Sequence, residues 1–180
     1  MNTKSFHILT IVCAFSVLSC EKATDTLHVM GNKVTNPLIK ELVFSGDDII
    51  SYNMKTFEIT FTNSAVDKLI YKDYYMFYYV PNYRVLSFYF NDKSLFINIK
   101  TRYTESGSTI INDLVFIVDG RSLKFYLADG YPLVRKDEWE DLYWNNKEEL
   151  RKEREENAMK REVEWGIFIK YLSDKGKIVN

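Results

Sequence analysis

The residues able to take a proton, attack a carbon or hold a metal are unevenly spread along this chain. Both cysteines (Cys13, Cys20) and both histidines (His7, His28) fall within the first 28 residues. After them no thiol or imidazole is left. A Ser-His-Asp or Cys-His pairing therefore has no base, and zinc or copper sites built from His and Cys have no ligands. Carboxylates are the abundant groups that remain. Asp47 and Asp48, with Asp119 or Asp129, offer the hard oxygens that calcium takes, but the Asp-x-Asp-x-Asp-Gly spacing of a calcium loop is missing. Asp beside Gly, as at Gly46-Asp47 and Asp119-Gly120, is what turns use in any case. Two facing acids could cleave a glycosidic bond without a histidine, yet nothing in the sequence singles out which two. No residue is put forward as catalytic or metal-binding, and no cofactor is implied.

The remaining chemistry is recognition. Tyr71, Tyr74, Tyr75, Tyr78, Tyr79 and Tyr83 crowd one stretch, interleaved with Met76, Phe77 and Val80 and interrupted by Pro81. Tyrosine rings stack on apolar faces while their hydroxyls reach polar groups, so Tyr74, Tyr75, Tyr78 and Tyr79 are the candidate ligand-binding residues, for a sugar or a peptide. The plainer reading is a sheet edge with its rings turned to the core.

One cysteine carries a different chemistry. Lys4 supplies an early positive charge, and Ile8 to Leu18 is an apolar run too short to span a bilayer. Together they fit a signal-peptide core. Val17-Leu18-Ser19-Cys20 then reads as a lipoprotein cleavage site, where a small residue is cut from a cysteine whose sulfur carries a diacylglycerol. The alternative is an ordinary secretory signal with an incidental cysteine. Each buried methylene contributes about 0.8 kcal/mol and two acyl chains anchor stably, so the chain is expected to stay on its membrane. With Cys13 removed and Cys20 acylated, the mature domain has neither a disulfide nor a free thiol.

The elements that must position these groups make a single domain, as 180 residues less a leader allow. Lys plus Arg number 24 against 25 for Asp plus Glu, so no global field attracts nucleic acid or an anionic bilayer, and partners must be recognised locally. Aromatics at 16% suit strands and wet binding surfaces. Residues 1–19 are read as the signal peptide, 20–37 as the lipidated cysteine and a flexible tether containing Gly31 and Asn36-Pro37, and 38–180 as the domain. Leu38 to Phe44 makes a first strand and Ser45-Gly46-Asp47-Asp48 a turn in which Gly46 is free to take positive φ. Ile49 to Asn53 resumes, and Phe57, Ile59 and Phe61 alternate with polar residues as a half-buried strand.

Ser64 caps a short helix from Ala65 to about Lys72. Val85 to Phe90 and Leu95 to Lys100 form a hairpin around Asn91-Asp92-Lys93-Ser94, with Leu95, Ile97 and Ile99 on one face. Leu114 to Val118, apolar throughout, is a central strand covered on both sides, and Asp119-Gly120 turns it into Leu123 to Leu127. Asp137 then caps a long helix with Trp139, Leu142 and Tyr143 as its first stripe, a charged middle from Asn145 to Arg161, and a second stripe of Val163, Ile167 and Tyr171 beside Phe168 and Leu172. Gly166 is where this helix would break. The fold class expected is α+β: an antiparallel sheet of about six strands, a short inserted helix and a long C-terminal helix.

Ser45-Gly46-Asp47-Asp48-Ile49, Thr56-Phe57-Glu58-Ile59-Thr60-Phe61, and Asp129-Gly130-Tyr131-Pro132 with Asp141-Leu142-Tyr143-Trp144 are distinctive strings. Through them the chain resembles a small lipoprotein family of Bacteroides-type bacteria. The resemblance covers most of the mature domain and implies a Gram-negative envelope; it carries no functional residue. Surface-exposed lipoproteins of those bacteria often bear an acidic cluster after the cysteine, whereas Cys20-Glu21-Lys22-Ala23-Thr24-Asp25 has scattered acids. That favours an outer-membrane anchor facing the periplasm, with surface display as the other placement. The function expected is a non-enzymatic envelope lipoprotein that binds a polymer, peptide or protein partner, and not nucleic acid. The alternative is a carboxylate-dependent glycan hydrolase.

Overall fold

Strand structure begins earlier in the chain than its composition suggests. The computed structural model describes residues 25–73, 78–103, 110–131 and 147–180. Cys20, Tyr74, Tyr75 and the Asp137 cap with Trp139, Leu142 and Tyr143 lie outside these residues. Leu27–Lys33 (β1), expected in the tether, is a strand in which Leu27, Val29 and Gly31 are buried while His28, Met30 and Asn32 are half-exposed. Its period of two is short and broken by a glycine, which is why the stretch passed for linker. The folded domain thus starts before Leu38, and Leu38 itself is loop. Lys40–Ser45 (β2) pairs with β1, and Gly46–Asp48 forms one 3-10 turn before Ile49–Asn53 (β3). Gly46 is required here for a close approach and not for positive φ: a Cβ would sit 2.1 Å from the Tyr171 hydroxyl.

Glu58–Phe61 (β4) buries Ile59 and Phe61, as their alternation requires. The helix α1 spans Asn63–Leu69, with Thr62 and not Ser64 at its cap. Ile70–Asp73 (β5) and Tyr78–Pro81 (β6), in the stretch read as a sheet edge, pair with each other as a two-stranded ribbon separate from the main sheet. Tyr83–Phe90 (β7) and Lys93–Tyr103 (β8) make the anticipated hairpin around Asn91 and Asp92, both at positive φ (47° and 62°), the geometry a two-residue reversal needs. Ile110–Asp119 (β9) and Lys124–Tyr131 (β10) follow, and Leu114 to Val118 is buried at every position.

Among the described residues, nine strands form one curled mixed sheet, a half-barrel, in the order β11-β3-β4-β10-β9-β8-β7-β1-β2, where β11 is Ile178–Val179. The expectation of about six antiparallel strands falls short in two ways. β1 and β11 are too brief or too polar to stand out in sequence, and β8–β9 and β3–β11 pair in parallel. Register shifts in β1–β2, β1–β7, β3–β4, β7–β8 and β9–β10 mark bulges or irregularities, which bend and twist a sheet into such a curl. Asn98 of β8 sits at φ 58° in one shift, so Phe96 and Ile99, three apart, both face inward while Ile97 is turned out to solvent. The simple Leu95/Ile97/Ile99 alternation is thereby corrected.

The core side of the sheet is covered by the second of two C-terminal helices. Lys147–Lys160 (α2) and Glu162–Asp174 (α3) are separated at Arg161, not at Gly166. The Arg161 guanidinium pairs with Asp129 and reaches Asp113 at 3.8 Å, tying the break to β10 and β9. Gly166 has open space around it, so nothing there forces a break. Phe168 of α3 touches the rings of Tyr52, Phe88, Phe96 and Trp165 at 5.5–6.0 Å. The contacts with Tyr52, Phe88 and Phe96 are edge-to-face, packing that adds about 0.5–1.5 kcal/mol per pair to the burial itself. Tyr171 and Leu172 are buried with it, whereas Val163 (72% exposed) and Ile167 stand in solvent. The expected second stripe is therefore rotated: the docked face is Phe168, Tyr171 and Leu172, with Trp165 and Ile169 packed at its margin. Lys177 closes the arrangement by donating to the carbonyls of Gly46 (2.9 Å), Asp47 (3.4 Å) and Ile49.

Candidate functional site

The outward side of β1, β2, β7 and β8 is the surface that chain order and sheet register build together. Cross-strand partners share a face. The pairing therefore lays out three rows: Lys40, Asn32, Val85 and Lys100; Leu42, Met30 and Ser87, the last buried and accepting from Asn98 N–H; and Ser45, His28, Tyr89 and Ser94. None of these residues is a carboxylate. The His28 ring stacks on Tyr89 at 5.2 Å and 8° between planes. Lys40 donates to the Tyr89 hydroxyl at 2.7 Å, with its ammonium 5.1 Å from the ring centre. Leu42 is 51% exposed in the middle row, next to the aromatic row.

Beyond the first row lies the loop joining β1 to β2. Its backbone is tied by Val34 N–H to Asn82 O (2.8 Å), Ile39 N–H to Asn36 O (3.0 Å) and Leu38 N–H to Asn36 Oδ1 (3.2 Å), and the Asn32 side-chain amide donates to Pro37 O (2.9 Å). This held loop presents Leu38 at 93% exposure, beside exposed Ile39 and Val34. Glu41 lies off this face: its carboxylate accepts from the Tyr83 hydroxyl at 2.7 Å and pairs with Lys33 at 3.1 Å, and both partners hold it below the usual carboxylate range.

The carboxylates considered for cation binding or hydrolysis are engaged in holding the fold. Asp48 accepts from Ser45 N–H (2.8 Å), Ser45 hydroxyl (3.0 Å) and Thr62 hydroxyl (3.2 Å). Those bonds, led by the backbone donor, outweigh burial and lower its pKa. Asp119 takes Arg121 N–H, Ser122 N–H and the Ser122 hydroxyl; burial opposes ionisation there, and the Ser122 and Arg121 donors overcome it. Asp129 is the partner of Arg161, Glu58 that of Lys124 at 3.3 Å, and Asp47 is exposed. Among the described residues no three His, Cys, Asp or Glu side chains gather as a metal site would need.

Of the tyrosine candidates, Tyr78 and Tyr79 fall on β6, where they pair with Asp73 and Lys72 across the ribbon. Tyr79 is half-buried and packed against the core, and its N–H donates to Gly120 O at 3.1 Å. A Cβ on Gly120 would lie 2.0 Å from the Tyr79 carbonyl oxygen, so at the β9–β10 turn the ribbon meets the sheet backbone to backbone. Tyr71, on β5, is exposed. The residues that sequence reading did not single out are His28, Met30, Leu42 and Tyr89. The alternation Leu27-His28-Val29-Met30 was the available signal. Comparison with protein-family models, with curated proteins and with solved structures gave no match.

Proposed function

We propose that this chain is a lipid-anchored envelope lipoprotein whose domain is a non-enzymatic binding module for a polymer, peptide or protein, anchored through Cys20 and most naturally facing the periplasm. The observation that carries the binding reading over hydrolysis is the engagement of Asp48, Asp119, Asp129 and Glu58 by partners within the fold. A general acid needs a carboxyl held protonated by its surroundings, whereas Asp48 and Asp119 are pushed the other way. Exposed Tyr71 on the β5–β6 ribbon supports a recognition surface in the tyrosine run, with Tyr74, Tyr75, Tyr78 and Tyr79 as its proposed members. The likeness to lipoproteins of Bacteroides-type bacteria belongs to the same proposal.

Two measurements test it. Cys20→Ala should abolish acylation; a variant with the mature mass and membrane fraction of the wild type would remove the anchor. Envelope glycans incubated with the purified protein should gain no reducing ends. Release of new ends that vanishes in Asp129→Asn or Glu58→Gln would replace the binding reading with hydrolysis.

A further inference from the structure

We infer that the outward face of β1, β2, β7 and β8, together with the Leu38 loop, lies against the anionic phospholipid surface of the membrane that holds Cys20. The tether argument rests on the anchored reading above, while the chemistry is that of the sheet itself. Six residues lie between Cys20 and Leu27, which makes seven steps along the chain. Fully extended they reach at most about 25 Å, and they enter the domain at β1, beside the edge strand β2. The surfaces nearest the lipid are then those of β1 and β2. β1 itself runs about 23 Å, so a strand held at one end by this tether can lie along the bilayer over its whole length.

The face has the composition that an interface with lipid selects. Leu38, Ile39 and Leu42 project apolar groups that can sink below the headgroups. Lys40 and Lys100 stand in one row, Lys40, Asn32, Val85 and Lys100, that contains no carboxylate, and lysine stems can lie on apolar surface while their ammonium groups reach phosphate. A soluble acidic polymer would use the lysines and leave Leu38 and Leu42 without a role; lipid uses both. The loop carrying Leu38 is already fixed by backbone and Asn side-chain bonds, so contact costs little ordering. The tether makes the encounter intramolecular, and even a weak surface contact is then well populated. The His28–Tyr89 stack places a ring with a polar edge at the same level, where amphipathic rings sit at membrane–water boundaries.

The test uses the full chain in vesicles of phosphatidylcholine and phosphatidylglycerol, part of the latter bearing a photoactivatable diazirine. Cross-linked peptides are read by mass spectrometry. Cross-links are expected on Leu38, Ile39 and Leu42 and not on Leu123 or Val163, which are exposed elsewhere. Leu38→Ser should remove most of the yield, and Lys40→Glu and Lys100→Glu should each lower it about fivefold. Cross-links concentrated on Val163 and Leu123, or spread evenly over all exposed residues, would overturn the inference. So would protection of Leu38 by dextran sulfate without any lipid cross-link, which would assign the face to an acidic polymer. Intact mass of the same sample reads acylation separately. An unacylated chain cross-linked at Leu38 would remove the anchor and keep this inference, and an acylated chain without such cross-links would do the reverse.

Discussion

The two sides of the β1–β2–β7–β8 sheet are made by the same strands yet carry opposite chemistry. Inward lie Leu27, Val29, Phe44, Leu86, Phe88, Phe96 and Ile99, all buried and in contact with one another or with α3. Outward lie Lys40, Leu42, Met30, His28, Tyr89 and Lys100, a mixture that neither a core nor an ordinary solvated face requires. The inner side shows that aromatic abundance here serves packing first, because eight rings join around Phe61, Phe88 and Phe168 through direct contacts. The outer side shows that a surface can be ordered without being covered.

The difference can be broken from the inside most forcefully. Phe168→Ala removes a ring with four aromatic neighbours and should cost about 3–5 kcal/mol in urea unfolding. Leu172→Ala should cost about 2–5 kcal/mol, whereas Ile167→Ala, on the exposed side of the same helix, should cost well under that range. Equal costs at 167 and 172 would mean that the outer side of α3 is covered in solution. Gly46→Ala pushes a methyl into the Tyr171 hydroxyl and should destabilise by about 1–3 kcal/mol; the pair Gly46→Ala with Tyr171→Phe should recover part of it.

A smaller effect is expected from acid. Asp48 has a lowered pKa in the folded state, so its contribution is present above the ordinary carboxylate value and is lost as pH falls through the lowered one. Asp48→Asn should therefore flatten the dependence of stability on pH below about 4, the ordinary Asp range. An unchanged acid limb would place that dependence on other carboxylates. The smallest effect belongs to the outer side: Leu38→Ser should change unfolding free energy by no more than about 0.5 kcal/mol, so that any loss of lipid contact is separable from folding.

The legible parts of the fold were those where one local signal decided the outcome. The run Leu114 to Val118 announced a buried strand, Asn91-Asp92 a reversal, and Ile59 with Phe61 a half-buried strand, and each is present. Where a glycine, a bulge or a distant partner decided, local reading failed. Gly31 hid β1 because its role is to let Tyr83 and Val43 approach, which no neighbouring residue reveals. Asn98 reversed the facing of Ile97 through a single positive φ. Arg161 ended α2 through Asp113 and Asp129, far away in sequence, while Gly166 suggested a break that packing did not need. The candidate face was illegible for a related reason. It consists of outward positions on four strands, and only the register brings Lys40 level with Lys100.

Lys177 donates to the carbonyl of Gly46 across a separation of 131 residues, and β11 pairs with β3 beside it. The concave core is thus finished by a segment synthesised long after the strands it covers. Contacts of such sequence separation pay their loop-closure entropy late, so local hairpins can form first but the core is closed only when the C-terminal segment docks. Chains released before Glu162 should remain open to protease, because Phe88 and Phe96 then lack the Phe168 ring of α3.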